Sequence, residues 1–202
     1  MTKIVVGVAL LPPEEVMTQA IELNKRELVA KGYDKTILHK ENCVPHMSLY
    51  IGCVEEDNLP RIKQALEELA EEYQPLSLKI DGIDFAHLPN GEKASGLRVI
   101  KTQDLQTLHE RVMGLMMPLR VETYGKDAVY SPPAVDDITL TLIDEYPLVN
   151  YQKFNPPITL GIGEVETREI QTSFTASKLA LFHYGNYCTC RKKLFSVELK
   201  KG

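Results

Sequence analysis

Cysteine is scarce in this chain, with four in 202 residues. Cys43, Cys53, Cys188 and Cys190 are irregularly spaced and form no CxxC pair, which excludes a disulfide framework. Cys188 and Cys190 stand without neighbouring Cys or His partners, so they read as buried thiols and not as metal ligands. No metal and no cofactor is expected. Free thiols suit a reducing cytosol, and a cytoplasmic location is the expectation. Positive charge is also short: 23 Lys and Arg face 28 Asp and Glu, a formal net charge of -5 with a pI near 5.6. Such a balance argues against coating long nucleic acid, which needs many phosphates neutralised. A small local phosphate site remains open, with a nucleotide or RNA terminus as its partner. Long apolar runs are missing too, none approaching the roughly 20 residues of a membrane span. The opening "MTKIVVGVALLPPEE" has an apolar run that stops at Pro12 and Pro13 and lacks a cleavage signature, so it reads as a first β-strand and not as a secretory signal.

What is present is ordinary globular material, 44% hydrophobic and 25% charged. A chain of this length buries roughly 70% of its unfolded surface without staples, and a monomer is expected. "PEEVMTQAIELNKRELVAKG" carries acids in its first turn, bases later and Gly32 as a stop, which predicts a helix. Leu59, Ile62, Leu66, Leu69 and Tyr73 recur at helical spacing, with Pro60 near the start, Pro75 closing the segment and an acidic solvated face. A third helix has Leu105, Leu108, Val112 and Leu115 on one stripe, Thr102 as its cap and His109 as a structural histidine beside the stripe. "LSLKI" and "GLRVI" flank Asn90-Gly91 and predict a hairpin. Residues 124–137 read as an irregular connection around Pro132 and Pro133. Residues 138–154 fit both a strand and a helix, with the helix preferred. The segment "SFTASKLALFHYGNYCTCRKKLFSVELK" reads as a hairpin of two long strands broken at Gly185-Asn186. The fold class expected is α+β.

The chemistry concentrates in a repeated phrase. "VPHMSLYIG" at residues 44 to 52 is echoed by "NPPITLGIG" at 155 to 163. The alignment pairs Pro45 with Pro156, Met47 with Ile158, Ser48 with Thr159, Leu49 with Leu160, Ile51 with Ile162 and Gly52 with Gly163. Alternation along a strand would send Met47, Leu49 and Ile51, and likewise Ile158, Leu160 and Ile162, into a core. His46, Ser48 and Tyr50 would then face Pro157, Thr159 and Gly161 across a shared groove.

The two phrases, with "LLP" at the end of the first strand and the helix after it, resemble the two-histidine phosphoesterase superfamily, which includes 2',5' RNA ligase-like and cyclic phosphodiesterase proteins. The resemblance implies one bilobal, LigT-like domain over residues 1–202. Its two antiparallel sheets, flanked by helices, would be related by a pseudo-two-fold axis, with both motifs in the groove between lobes. It also implies substrates that are RNA ends or small nucleotides bearing 2',3'-cyclic or 2',5'-linked phosphates. Opening such a phosphodiester needs a base for the attacking water and an acid for the leaving oxygen, work suited to imidazoles. On this reading His46 is catalytic, and Ser48 and Thr159 hold the non-bridging phosphate oxygens. Pro157 stands where the family has its second histidine and cannot move a proton. Loss of one acid or base costs on the order of a hundred- to ten-thousand-fold in rate. The expectation is a phosphodiesterase-like protein with a degenerate second motif, or a non-catalytic nucleotide-binding module of the same fold. His183, Tyr184 and Tyr50 are candidates to replace the missing partner. Arg191 and Lys192 read as solvated, and His39 and His87 sit in loop-like contexts.

Overall fold

A computed structural model describes residues 2–131, 134–155 and 157–200. The β-branched run at the start forms strand β1, Lys3–Leu11, which ends where Pro12 and Pro13 can no longer donate to a ladder. Pro13 then opens helix α1, Glu14–Glu27, with Glu14 and Glu15 at its positive end and Lys25 and Arg26 at its negative end. A short 3-10 turn follows and closes on Gly32, whose φ of 86° suits a residue without a Cβ. Strand β2, Met47–Glu55, leads into helix α2, Leu59–Glu71, which buries Ile62, Leu66 and Leu69.

Strands β3, Leu76–His87, and β4, Lys93–Val99, form the expected hairpin. Helix α3, Gln103–Met116, is capped by the Thr102 hydroxyl, which accepts from the Leu105 amide at 3.2 Å. Helix α4, Asp137–Lys153, resolves the ambiguous stretch as helix. Pro147 within it has no N–H to offer the preceding turn, one reason its pattern reads poorly. Of the irregular 124–137 connection, the described part holds one 3-10 turn at Lys126–Ala128; its two prolines lie outside the described residues. No helix among the described residues is long and apolar enough to cross a membrane.

The remaining strands are β5, Pro157–Ile162; β6, Thr172–Ala176; β7, Lys178–Gly185; and β8, Thr189–Glu198. The expected two-strand hairpin at the end is therefore three strands. β6 joins one sheet and β7 and β8 the other, the chain changing sheets across the single residue Ser177. No glycine or proline marks that crossing, so local pattern does not reveal it.

Two four-stranded antiparallel sheets result, ordered β2-β1-β7-β8 and β5-β4-β3-β6. The two halves of the repeated phrase thus occupy equivalent edge strands, and β2 and β5 come into contact across the gap between sheets. One continuous apolar cluster includes Val8, Leu49 and Leu66 from one side and Ile80, Leu97 and Leu160 from the other.

Symmetry extends to an irregularity. In the β1/β2 ladder Val8 opposes Tyr50 and Ala9 opposes Ser48, which leaves Leu49 without a partner. In the β4/β5 ladder Ser95 opposes Gly161 and Gly96 opposes Thr159, which leaves Leu160 unpartnered. Leu49 and Leu160 are matched positions of the repeat, so each edge strand carries a one-residue bulge at the same place. A bulge frees a carbonyl from the ladder, and each freed carbonyl is met by a buried polar side chain on a helix. The Asn24 amide on α1 donates to Leu160 O at 2.9 Å, and His109 Nδ1 on α3 lies 2.9 Å from Leu49 O.

Both residues are fully buried. Asn24 also donates to Thr36 O at 2.8 Å and accepts from the Leu38 amide at 3.0 Å. His109 stacks on Phe154 at 3.8 Å and faces Asn150 O through Nε2 at 3.0 Å, the structural role expected of it.

Candidate functional site

Between β2 and β5 lies a cavity of about 260 Å³, with His46 and Ser48 on one wall and Pro157 and Thr159 on the other. Helix α4 supplies a third side through Leu142, Tyr146 and Asn150, spaced by four and hence on one helix face. The groups that alternation places opposite one another are therefore neighbours of a single space up to the bulge.

Past the bulge the alternation reverses. Tyr50 is fully buried and belongs to the main core, its hydroxyl without a hydrogen-bond partner among the described residues, so the expectation that it lines the groove is corrected. Ile51 and Ile162, expected in the core, are both buried, but on the cavity side, Ile51 within a second apolar cluster with Val5 and Cys53. One extra residue per edge strand shifts the side-chain period by one, and every residue beyond it changes face. Gly161, aligned with Tyr50, lets α1 approach: a Cβ there would lie 2.9 Å from Leu28 Cδ1 and 3.1 Å from Asn24 Nδ2. The pairing of Pro45 with Pro156 lies outside the described residues.

At the His46 wall, one hydrogen-bond chain fixes every proton. The Val44 carbonyl can only accept, so His46 Nδ1–H donates to it at 2.7 Å, and Nε2 keeps its lone pair. Ser48 Oγ is 3.1 Å from that Nε2 and donates to it. Tyr184 Oη, 3.2 Å from Ser48 Oγ on its other side, donates in turn to the serine. The Tyr146 hydroxyl donates to the Ser48 carbonyl at 2.6 Å and ties α4 to the edge strand. Burial holds the His46 imidazole down to about 4, so it is neutral at physiological pH and ready to accept a proton. Burial drives the Tyr146 and Tyr184 hydroxyls well above the ordinary tyrosine range, which suits them to donate hydrogen bonds and not to give up protons.

The candidates for a second proton carrier fall elsewhere. Tyr184 reaches Ser48 on the His46 side, in edge contact with the imidazole. His183 points away, with Nε2–H donating to Ala128 O at 3.0 Å and its ring against Tyr130. Among the described residues the cavity lining holds one histidine and no carboxylate, lysine or arginine.

Cys190 is fully buried, whereas Cys188 is partly exposed and lines the cavity beside Cys43. Lys192 is solvated, but Arg191 is half-buried with its aliphatic part against Gly185. Among the described residues no group of three or more His, Cys, Asp or Glu could hold a metal ion.

Tyr146, Asn150 and Tyr187 are lining residues that sequence reasoning did not single out. The spacing of 142, 146 and 150 was a usable signal once the segment was taken as helix.

Comparison with known proteins agrees with this architecture. A sequence model of the 2'-5' RNA ligase superfamily matches residues 12–186. No curated protein matches the chain. Among solved structures, TT0787 of Thermus thermophilus superposes with a TM-score of 0.62 at 18% identity, over 97% of this chain and 98% of that one. E. coli LigT complexed with 3'-AMP superposes with a TM-score of 0.52 at 15% identity, over 99% and 100%. The same protein complexed with phosphate gives 0.53 at 14% identity, over the full length of both chains.

Proposed function

Because the chain belongs to the 2'-5' RNA ligase superfamily, we propose that its cavity takes a nucleotide or RNA end bearing a 2',3'-cyclic or 2',5'-linked phosphate and hydrolyses it slowly through His46. The supporting observation is that His46 and Ser48 from one half of the chain and Thr159 from the other line one space. With Nδ1–H donating to the Val44 carbonyl, His46 Nε2 takes the proton of the attacking water. Ser48 and Thr159 then donate to the non-bridging oxygens, Ser48 turning its hydroxyl from Nε2 to the phosphate as the ligand arrives. The leaving oxygen takes its proton from solvent, because Pro157 cannot supply one. Slow turnover follows.

The test is a panel of 2',3'-cyclic and 2',5'-linked nucleotides assayed with the wild type and His46→Ala. Slow hydrolysis lost in the variant is expected, and hydrolysis that His46→Ala leaves intact overturns the reading. Pro157→His restores an acid and is expected to raise the rate by roughly a hundred-fold or more.

Pro157 itself favours a second reading, a module that binds the same ligands without turnover. That reading requires a raised melting temperature in the presence of ligand, about 2.7 kcal/mol of added stability at a hundred times Kd, and no product.

A further inference from the structure

We infer that His109 is a proton-operated clamp between α4 and the bulge of β2: with a second proton on its imidazole it bonds a carbonyl on each element, and without that proton only one. The wall of the cavity that carries Tyr146 and Asn150 is then held more firmly when the proton is bound. The clamp belongs to the fold and works whatever ligand the cavity takes.

The ring faces two acceptors. Nδ1 lies 2.9 Å from Leu49 O and Nε2 lies 3.0 Å from Asn150 O. Both partners are main-chain carbonyls, which have no proton to give. A neutral imidazole has one N–H, so either tautomer leaves a ring lone pair facing an oxygen lone pair at hydrogen-bond distance. Only the doubly protonated ring satisfies both. The other histidines with described contacts differ: His46 has one carbonyl and one hydroxyl, His183 has one carbonyl, and His39 accepts from the Glu41 amide. Nor can the His109 ring tilt away, because it is fully buried and lies flat on Phe154, with 3.8 Å between centroids and 1° between planes.

The clamp joins two walls of the site. Leu49 follows Ser48, and its carbonyl is the one the bulge frees. Asn150 lines the cavity, and its amide donates to Tyr146 O at 3.1 Å, one turn back. Tyr146 in turn holds the Ser48 carbonyl. β2 and α4 are thus tied at two successive carbonyls, by a tyrosine that keeps its proton and by a histidine that can lack its second.

Glu110, on α3, favours the charged ring and Lys101, before α3, opposes it; β2 and α4 face it with the two carbonyls, both of which favour the charge. Burial outweighs them and keeps His109 below the ordinary 6.5, so the second proton arrives in acid. Relative to the unfolded chain that proton still costs stability, because burial wins. Within the folded chain it completes the clamp.

The experiment follows the full chain from pH 7.5 to about pH 4.5, with isotope-labelled histidine for imidazole nitrogen spectra and with amide hydrogen exchange for α4. His109→Gln keeps one donor and cannot titrate, and it retains His46 and His183, so the difference between the two proteins isolates His109. In the wild type His109 is expected to pass from one protonated ring nitrogen to two below pH 6.5. Over the same range, exchange in the second half of α4 is expected to slow by roughly ten-fold relative to His109→Gln, the worth of one charge-assisted hydrogen bond. A ratio of exchange rates that stays constant with pH overturns the inference. So does a ring that remains singly, or doubly, protonated across the whole range, a result the spectra give whether or not His109→Gln folds.

Discussion

At the scale of single residues, the site is governed by where one proton sits. The Val44 carbonyl assigns the His46 proton to Nδ1, and the lone pair on Nε2 is thereby aimed at Ser48 and the cavity. Because burial holds this imidazole down to about 4, its basic form persists well into acid. The acid limb of a kcat/KM profile for phosphodiester hydrolysis is therefore expected near pH 4, not near the 6.5 of a free histidine. An acid limb at 6.5 would show that another group serves as base. His46→Ala is expected to remove the activity that this limb describes.

At the scale of elements, the edge-strand bulges decide which side chains meet. Leu49 and Leu160 each absorb an extra residue, turn Ile51 and Ile162 toward the cavity, and release a carbonyl that must be satisfied elsewhere. Asn24 performs that service for β5 with one hydrogen bond of 2.9 Å to Leu160 O, and holds the 36–38 segment with two more, to Thr36 O at 2.8 Å and from the Leu38 amide at 3.0 Å. Asn24→Ala leaves buried backbone groups unpaired and is expected to cost on the order of 3 kcal/mol, measured by urea denaturation. A loss below about 0.5 kcal/mol would mean water takes over the bonds.

β1 carries a second constraint. A Cβ at Gly7 would meet Tyr184 Cζ at 2.1 Å, and Tyr184 is fully buried. The ring has no room to yield, so Gly7→Ala is expected to destabilise the chain by roughly 1–3 kcal/mol. It should also displace the hydroxyl that donates to Ser48, so activity falls further than in Tyr184→Phe.

For the molecule as a whole, three histidines resist protonation in the fold, His109 fully buried and His46 and His183 half-buried. His46, His109 and His183 all lie below the ordinary histidine range, each chiefly because burial penalises the charged form. The unfolded chain takes up protons at these sites from about pH 6.5 downward, whereas the folded chain resists, so protonation favours unfolding. Stability is expected to be full above pH 6.5 and to fall as pH drops from there toward about 4. The paired carboxylates, such as Glu92 with Lys35 and Asp137 with Lys126, contribute their own loss only below their ordinary values of 4.5 and 3.8. Chemical denaturation at pH 7.5, 6 and 5 checks this, and His46→Gln should flatten the slope. A stability curve unchanged between pH 7.5 and 5 would contradict it.

Much of this was written locally. Helical spacing in Leu59–Tyr73 and Leu105–Leu115, the Thr102 cap, the Asn90-Gly91 turn and the repeated phrase follow from side-chain period, capping and turn chemistry, which act over a few residues. Local pattern alone marked neither the crossing between sheets at Ser177 nor the paired bulges, nor the identity of the helix residues facing the site. Those depend on which strands pair and which carbonyls lack a partner once they do. Tyr50 is the sharpest instance: its place in an alternating run pointed to the groove, and one unpaired leucine upstream turned it into the core. Side-chain period within the repeated phrase was enough to put an imidazole and one hydroxyl on the same side of the chain, and a second hydroxyl at the matching place in the echo. Only the packing of two sheets, with helix side chains satisfying the bulged carbonyls, decided that they share one cavity, because a strand's faces acquire meaning from what lies across them.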